Sequence, residues 1–364
     1  MTTTKLKWLL VGLALIGGIA LWLMYAPNQG AKWQSYITAG ERAYQQADYA
    51  EAEKQFEAAL KEAQAFGPDD VRLAASLNNL ALLYQAQGRY AEAEPLHQRA
   101  LAIREKALGP DHPDVSNSLN NLGELYYDQG RYADAEPLFK RGLALLENAL
   151  GREHPHAAYL LNNLARLYEA QGKYAEAEPL FQRALTIRQK VLGPEHPNVA
   201  TSLNNLAVLY KAQGRYTEAE PLHQRALAIR EEALGPEHPN VAQSLNNLAG
   251  LYQDQGRYAE AEPLYQRALA ILEKALGPEH PDVATSLNNL ATLYQAQGKY
   301  AEAEPLHQRA LAILEKALGP EHPLVAGSLE NYADLLRETG RDAEAKNMEA
   351  RAKAIRAKHA RENP

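Results

Sequence analysis

The sequence predicts an all-α protein, a solenoid of stacked antiparallel helix pairs preceded by one N-terminal transmembrane helix. Three observations lead to this prediction. A unit of 42 residues recurs six times, each unit carries apolar residues at helical spacing, and an uncharged apolar run lies near the N-terminus. Such units form solenoids because each one buries its apolar face only by stacking on its neighbours.

The composition excludes several classes of function. The 364 residues carry a net charge of −7, and acidic and basic residues are interleaved along the chain. Nucleic-acid-binding proteins show a clustered basic surface instead, so no nucleic-acid partner is expected. The chain contains no cysteine, which rules out disulfides, thiolate metal sites and a cysteine nucleophile.

The N-terminal residues 1–31 are predicted to be a signal-anchor and linker, separate from the solenoid of residues 32–364. Lys5 and Lys7 precede an uncharged, mostly apolar run at residues 8–25. A helix of that length extends about 27 Å, close to the ~30 Å hydrocarbon core of a bilayer. The two lysines favour a cytoplasmic N-terminus, with the solenoid on the exported (periplasmic or extracellular) side. The alternative is a cleaved signal peptide and a secreted protein.

The internal repeat divides the rest of the chain. The string Leu-Asn-Asn-Leu begins at Leu77 and returns every 42 residues up to Leu287. We predict a shorter first repeat over about 33–66, six full repeats over about 71–322, and a C-terminal capping repeat over about 323–357. The last unit has polar residues at positions that are apolar in the other units, as the outer face of a terminal repeat requires.

Each unit is predicted to fold as two helices. In the unit that begins at Pro113, Leu119, Leu122 and Tyr126 follow at three- and four-residue spacing, which places them on one helix face. Gly130 then ends the first helix, because glycine readily adopts the backbone conformation of a helix C-terminus. The second helix is expected to end in the same way at Gly151.

The unit resembles a tetratricopeptide repeat. The family's packing positions are filled, in the repeat that begins at Ala74, by Leu77, Leu80, Ala81, Tyr84, Gly88, Tyr90, Ala93, Ala100 and Leu101. The longer unit, with strings such as LNNLA, AEAEPL and LGPEHP, is similar to the tetratricopeptide domain of kinesin light chains and their bacterial relatives. This resemblance covers the chain from about Ser35 onward. It implies a right-handed superhelix whose first helices line a concave groove. Motor-adaptor function is not implied, because no coiled-coil segment like that of kinesin light chains is recognisable.

Positions that vary between repeats form the predicted binding surface. Most of the unit is nearly invariant, but three positions on the side of the first helix opposite its packing face change in chemistry. Recognition requires such variation, whereas packing forbids it; the alternative is that nothing constrains these positions. The variable residues predicted to contact a peptide are Glu124, Tyr127, Arg166, Glu169 and Lys211.

Paired asparagines give a second signal. Asn is unfavourable inside a helix because its side chain competes for backbone hydrogen bonds, so two in each repeat imply specific partners. The resemblance implies that the first Asn of each pair holds the backbone of an extended peptide; bonding between repeats is the alternative. The second Asn, from Asn79 onward, is expected to bond adjacent repeats. The predicted peptide-binding asparagines are Asn78, Asn120, Asn162, Asn204, Asn246 and Asn288.

No catalytic or metal site is predicted. A histidine recurs once in each unit from His112 to His322. Helix axes in such stacks lie ~8–10 Å apart, so histidines one helix pair apart cannot share an ion. No nucleophile–base pair, phosphate loop or HExxH string is present. We therefore expect no enzyme activity, no cofactor and no small-molecule substrate.

Two functions remain after these exclusions. The favoured function is a membrane-tethered protein–protein interaction scaffold, which binds extended peptide segments of partner proteins in the concave groove and contacts the membrane through residues 8–25. The alternative is a structural spacer or self-assembling module with no peptide ligand. The charges at the variable positions are mixed, so the sequence alone indicates no preference for acidic or basic ligands.

Overall fold

The computed structural model describes residues 29–362, and within this range the chain forms sixteen α-helices and no strand. The helices are arranged as eight antiparallel pairs, which we number as units 1 to 8. The first helices are α1 (Gln29–Gln45), α3 (Val71–Ala86), α5 (Val115–Asp128), α7 (Pro155–Ala170), α9 (Pro197–Ala212), α11 (Pro239–Asp254), α13 (Pro281–Ala296) and α15 (Pro323–Glu338). The second helices are α2 (Tyr49–Gln64), α4 (Tyr90–Leu108), α6 (Tyr132–Leu150), α8 (Tyr174–Leu192), α10 (Tyr216–Leu234), α12 (Tyr258–Leu276), α14 (Tyr300–Leu318) and α16 (Asp342–Glu362). The predicted all-helical solenoid is confirmed within this range.

The ends of the helices follow from residues that recur in every full unit. The turn between the helices of a pair contains a glycine such as Gly88, whose φ of 70° lies in the left-handed region that glycine adopts without strain. The loop between pairs carries a histidine whose Nδ1 accepts a hydrogen bond from the second residue of the next helix. In unit 5, the backbone N–H of Asn198 donates to His196 Nδ1 at 3.1 Å. This bond satisfies an amide at the helix N-terminus that has no partner within the helix.

A charged cluster joins each unit to the next. On α8, Glu178 accepts a hydrogen bond from the Tyr210 hydroxyl at 2.9 Å and pairs with Arg215 of the same neighbouring unit at 2.8 Å. The Arg215 guanidinium also lies 3.9 Å from the centre of the Tyr210 ring. Equivalent Glu–Tyr–Arg contacts recur at Glu94 and Glu220. The near-invariance of these residues between units is therefore explained by the stacking of one pair on the next.

The solenoid returns onto itself after six units. The Nε2 atom of His322, in the loop before unit 8, donates a hydrogen bond to the backbone oxygen of Ala86 in unit 2 at 3.2 Å. The ring of His359 meets the ring of Tyr90 with 5.9 Å between centroids. One edge of units 1 and 2 therefore lies against the opposite edge of units 7 and 8.

No helix within residues 29–362 combines the length and apolar character needed to cross a membrane. The predicted membrane span at residues 8–25 lies outside the described residues. The predicted boundary between linker and solenoid at residue 32 stays a prediction.

Candidate functional site

The first helices form the inner side of the solenoid. From α3 to α15, each first helix contacts the first helix of the next pair, and no comparable series of contacts joins the described second helices. Elements that approach one another closely in a curved stack lie on its concave side. The three variable positions of the first helices accordingly stay open to solvent, in part or in full, while packing residues such as Leu77 and Leu80 are buried.

Three of the predicted binding residues meet on α5 and α7. The hydroxyl of Tyr159 donates to Glu124 Oε1 at 3.2 Å, and Asn163 Nδ2 donates to the same oxygen at 2.9 Å. The Arg166 guanidinium lies 5.0 Å from the centre of the Tyr127 ring. Glu124, Tyr127 and Arg166 thus form one surface across units 3 and 4, together with Tyr159.

Three carboxyl groups on this surface have raised pKa values. Burial raises the pKa of Glu124 above its usual value, against the opposing effects of the Tyr159 hydrogen bond and the Arg166 charge. Burial also raises the pKa of Asp128 and brings that of Glu169 to about 7, although Arg166 again opposes the shift. Arg166 is thus the guanidinium that opposes the shift at all three carboxyl groups, and its charge does not fully offset the effect of burial on their pKa values.

The remaining predicted residue with a charge, Lys211, lies one unit further along. Its Nζ atom pairs with Asp254 of α11 at 3.1 Å, so it neutralises a different carboxylate from those around Arg166.

Sequence reasoning did not select Tyr159 or Asp128 as site residues. Tyr159 was detectable from the sequence, because it stands at one of the variable positions. In the structure its side chain is 46% exposed.

The predicted peptide-binding asparagines take part in contacts between units. In units 3 to 5, the second Asn of each pair donates to the first Asn of the preceding unit. Asn121 Nδ2 reaches Asn78 Oδ1 at 2.7 Å, and Asn205 Nδ2 reaches Asn162 Oδ1 at 2.6 Å. Asn163 Nδ2 donates to Asn120 Oδ1 at 2.9 Å. The expected bonding of the second series between repeats is therefore present here.

Later units use the first Asn differently. Asn204 Nδ2 donates to the Ser244 hydroxyl of the next unit at 3.0 Å, while its Oδ1 lies 2.8 Å from Nδ1 of His223. Asn288 makes the corresponding contacts with Ser328 and His307. At Asn246, the side-chain oxygen accepts from Ser286 at 3.4 Å.

All six predicted asparagines thus bond within the solenoid, and all but Asn246 are buried. Peptide contact by these amides stays a prediction, and the exposed surface of the groove is provided by the variable residues. Within residues 29–362, no group of three or more His, Asp or Glu side chains could hold a metal ion.

The sequence model of the tetratricopeptide repeat matches residues 34–106, 72–148, 156–232, 199–274, 240–316 and 282–358. The chain belongs to the tetratricopeptide repeat family. No curated protein matches it.

Solved structures place this tetratricopeptide repeat protein beside proteins of the kinesin light chain type. BtubC (BKLC) from P. vanneervenii is 26% identical, with 63% of this chain and 91% of that one covered and a TM-score of 0.51. A putative kinesin light chain with nearly identical TPR-like repeats from Podosopora anserina is 36% identical over 57% of this chain and 98% of its own, with a TM-score of 0.46. The family match confirms the predicted resemblance to tetratricopeptide repeats.

A more distant structure shares the fold alone. The Rap protein complexed with Competence and Sporulation Factor is 14% identical, with 93% of this chain and 100% of that one covered and a TM-score of 0.57. Tetratricopeptide solenoids of this kind are scaffolds for protein–protein interaction.

Proposed function

We propose that this protein holds an extended segment of a partner protein in the groove lined by its first helices. One observation carries the proposal. The side chains that differ between units lie together on the inner side, at Glu124, Tyr127 and Arg166, whereas the outer surface of the second helices repeats the same Glu and Gln residues. A surface that only solvates the protein has no reason to vary on one side alone.

The chemistry of this surface suits a peptide segment with basic side chains. Tyr159 exposes an aromatic ring and a hydroxyl group, which together provide contact area at a low cost in side-chain entropy. Glu124, Asp128 and Glu169 outnumber the single guanidinium of Arg166, and burial raises the pKa of each carboxyl group. A cationic side chain in this part of the groove would stabilise their charged forms.

An array of synthetic extended peptides, probed with the full chain in detergent micelles, tests this function. We expect peptides with Lys or Arg to bind, and the double variant Glu124→Gln/Tyr159→Ala to weaken their binding about tenfold or more. Gln98→Ala, on the exposed outer side of α4, is the matched control and should bind normally. An array without any bound peptide, or equal binding by both variants, would contradict the proposal.

A structural spacer is the second candidate function. It is favoured by the asparagines, because all six predicted peptide ligands already bond within the solenoid. The same array distinguishes the two functions, since a spacer binds no extended peptide.

We also propose that residues 8–25 tether the protein to a membrane, with the solenoid on the exported side. The support is the uncharged apolar run and the two lysines before it. Protein in the membrane fraction that resists alkaline carbonate extraction is the expected result, with the solenoid cleaved by protease added to the exported side. Recovery of a shortened, soluble chain would favour secretion after signal cleavage instead.

A further inference from the structure

The contact between units 2 and 8 is formed by two edges of the solenoid. One edge consists of the turns inside the pairs, and the other consists of the loops between pairs. We call them the turn edge and the loop edge. In unit 2 the turn edge presents the Ala86 carbonyl to His322 Nε2. It also presents Gly88, where an added Cβ atom would lie 3.0 Å from Pro323 Cδ and 3.1 Å from His322 Cδ2. The two edges therefore fit closely only because no side chain projects from the turn.

The same two edges recur along the chain. Each full unit carries the turn glycine, and each loop from the second onward carries the histidine. In all of these histidines Nδ1 accepts a backbone N–H, as it does in His322. The ring proton therefore sits on Nε2, which faces away from the helix that the residue caps. The donor that His322 uses is thus present at the other loops, and the ring of His154 alone among these is buried by its own chain.

Most of the turn edge is uncovered within the described part of the chain. No atom lies within 4 Å of the position that a Cβ would take on the turn glycines of units 3 to 8, which are Gly130, Gly172, Gly214, Gly256, Gly298 and Gly340. Among the described loop histidines, only His322 has its Nε2 bonded to another turn of the superhelix. Eight units provide only two steps of overlap, because the path returns onto itself after six.

We propose that a second copy of this chain docks on the uncovered turn edge through its loop edge, so that the two copies continue one superhelix. The rule read from the single chain is that the turn of one unit meets the loop that lies six units further on. Applied across two copies, it pairs Gly214 with His112, Gly298 with His196, and Gly340 with His238 of the second copy. It also places Gly256 opposite His154, whose ring is buried in its own chain, so three pairs can form the hydrogen bond.

This assembly has a defined polarity. The turn edge of one copy meets the loop edge of the next, so the contact is heterologous and can continue to further copies. Each step provides one hydrogen bond and close backbone packing, which is modest on its own. Several steps form together, so association should rise steeply with protein concentration.

Two triple variants separate the edges. Gly214→Asn/Gly298→Asn/Gly340→Asn blocks the turn edge with side chains, and Asn tolerates the left-handed backbone conformation of these glycines. His112→Asn/His196→Asn/His238→Asn removes the Nε2 donors from the loop edge, while Asn still caps the helices that follow. Gly130→Asn is the matched control, because in this arrangement the turn of unit 3 meets no histidine loop.

Sedimentation velocity of the full chain in detergent micelles provides the measurement. The original chain and Gly130→Asn should associate with rising concentration, and each triple variant should associate at least about tenfold more weakly. An equimolar mixture of the two triple variants should form a dimer and nothing larger, because each supplies the edge that the other lacks. Circular dichroism checks that both variants fold.

Three results would overturn the proposal. The original chain could stay monomeric at all concentrations, both triple variants could associate as strongly as the original, or the mixture could fail to form the dimer. Association through the N-terminal segment would give the second result, because the edge variants leave that segment unchanged. No peptide ligand is needed, so the outcome does not depend on the proposed scaffold function.

Discussion

At the scale of single residues, one buried position on the second helices holds His, Phe or Tyr in different units. His97, Phe139, Phe181 and His223 all occupy it and are almost fully buried. His223 bonds Asn204, but neither ring nitrogen of His97 has a hydrogen-bond partner among residues 29–362. Burial lowers the pKa of His97 to about 4. The neutral imidazole is thus tolerated as a filler of the space that a phenyl ring takes in other units.

The substitution His97→Phe should therefore stabilise the protein, most of all in acid. The folded-state pKa lies below the ordinary value of 6.5, so stability is complete above pH 6.5 and falls as the pH drops towards 4. For this one group the loss between pH 7.5 and pH 5 is about 2 kcal/mol. Urea unfolding of the variant at both pH values should show a smaller difference than the original chain. An unchanged pH dependence would mean that His97 does not titrate on unfolding.

At the scale of helices, the Glu–Tyr–Arg cluster explains why the units stack in one arrangement. The sequence predicts the helices and their ends well, because glycine, proline and apolar spacing act locally. Side-chain partners are less predictable. Asn78 bonds Asn121 whereas Asn204 bonds Ser244, although the surrounding sequence is nearly the same. Both asparagines have a histidine at the equivalent position of the second helix, His97 and His223, but only His223 bonds its asparagine.

Removing one hydroxyl from this cluster should weaken the stack. Tyr252→Phe deletes the hydrogen bond to Glu220, 3.0 Å long, and the bond accepted from Gln224 at 3.2 Å. The Glu220 carboxylate keeps its contact with Arg257. We expect the free energy of unfolding to fall by about 1 kcal/mol. Tyr258→Phe is the matched control, because the hydroxyl of Tyr258 makes no hydrogen bond within the described chain. Thermal unfolding followed by circular dichroism compares the two variants, and equal melting temperatures would show that the cluster does not hold the units together.

At the scale of the whole molecule, the contact between units 2 and 8 could not be predicted from the sequence. Each unit rotates slightly against the next, and only the accumulated rotation over six units brings His322 to Ala86. A small change in the rotation per unit would move these residues far apart, and local sequence patterns do not determine that rotation. The same accumulation shapes the groove, so the surface at Glu124 and Arg166 was predicted as separate positions and is found as one cluster.

The contact should open when its hydrogen bond is removed. His322→Asn keeps a helix cap for Leu324 but withdraws the donor to Ala86, and one such bond provides only about 1 kcal/mol. Because the chain has no cysteine, spin labels can be placed cleanly at Gln98→Cys and Lys353→Cys, on exposed positions of units 2 and 8. Electron–electron distance measurements should show a longer and broader distribution in the variant. His238→Asn, at a loop outside the contact, should leave the distribution unchanged. If His322→Asn also leaves it unchanged, packing at Gly88 and Tyr90 holds the two turns together without the hydrogen bond.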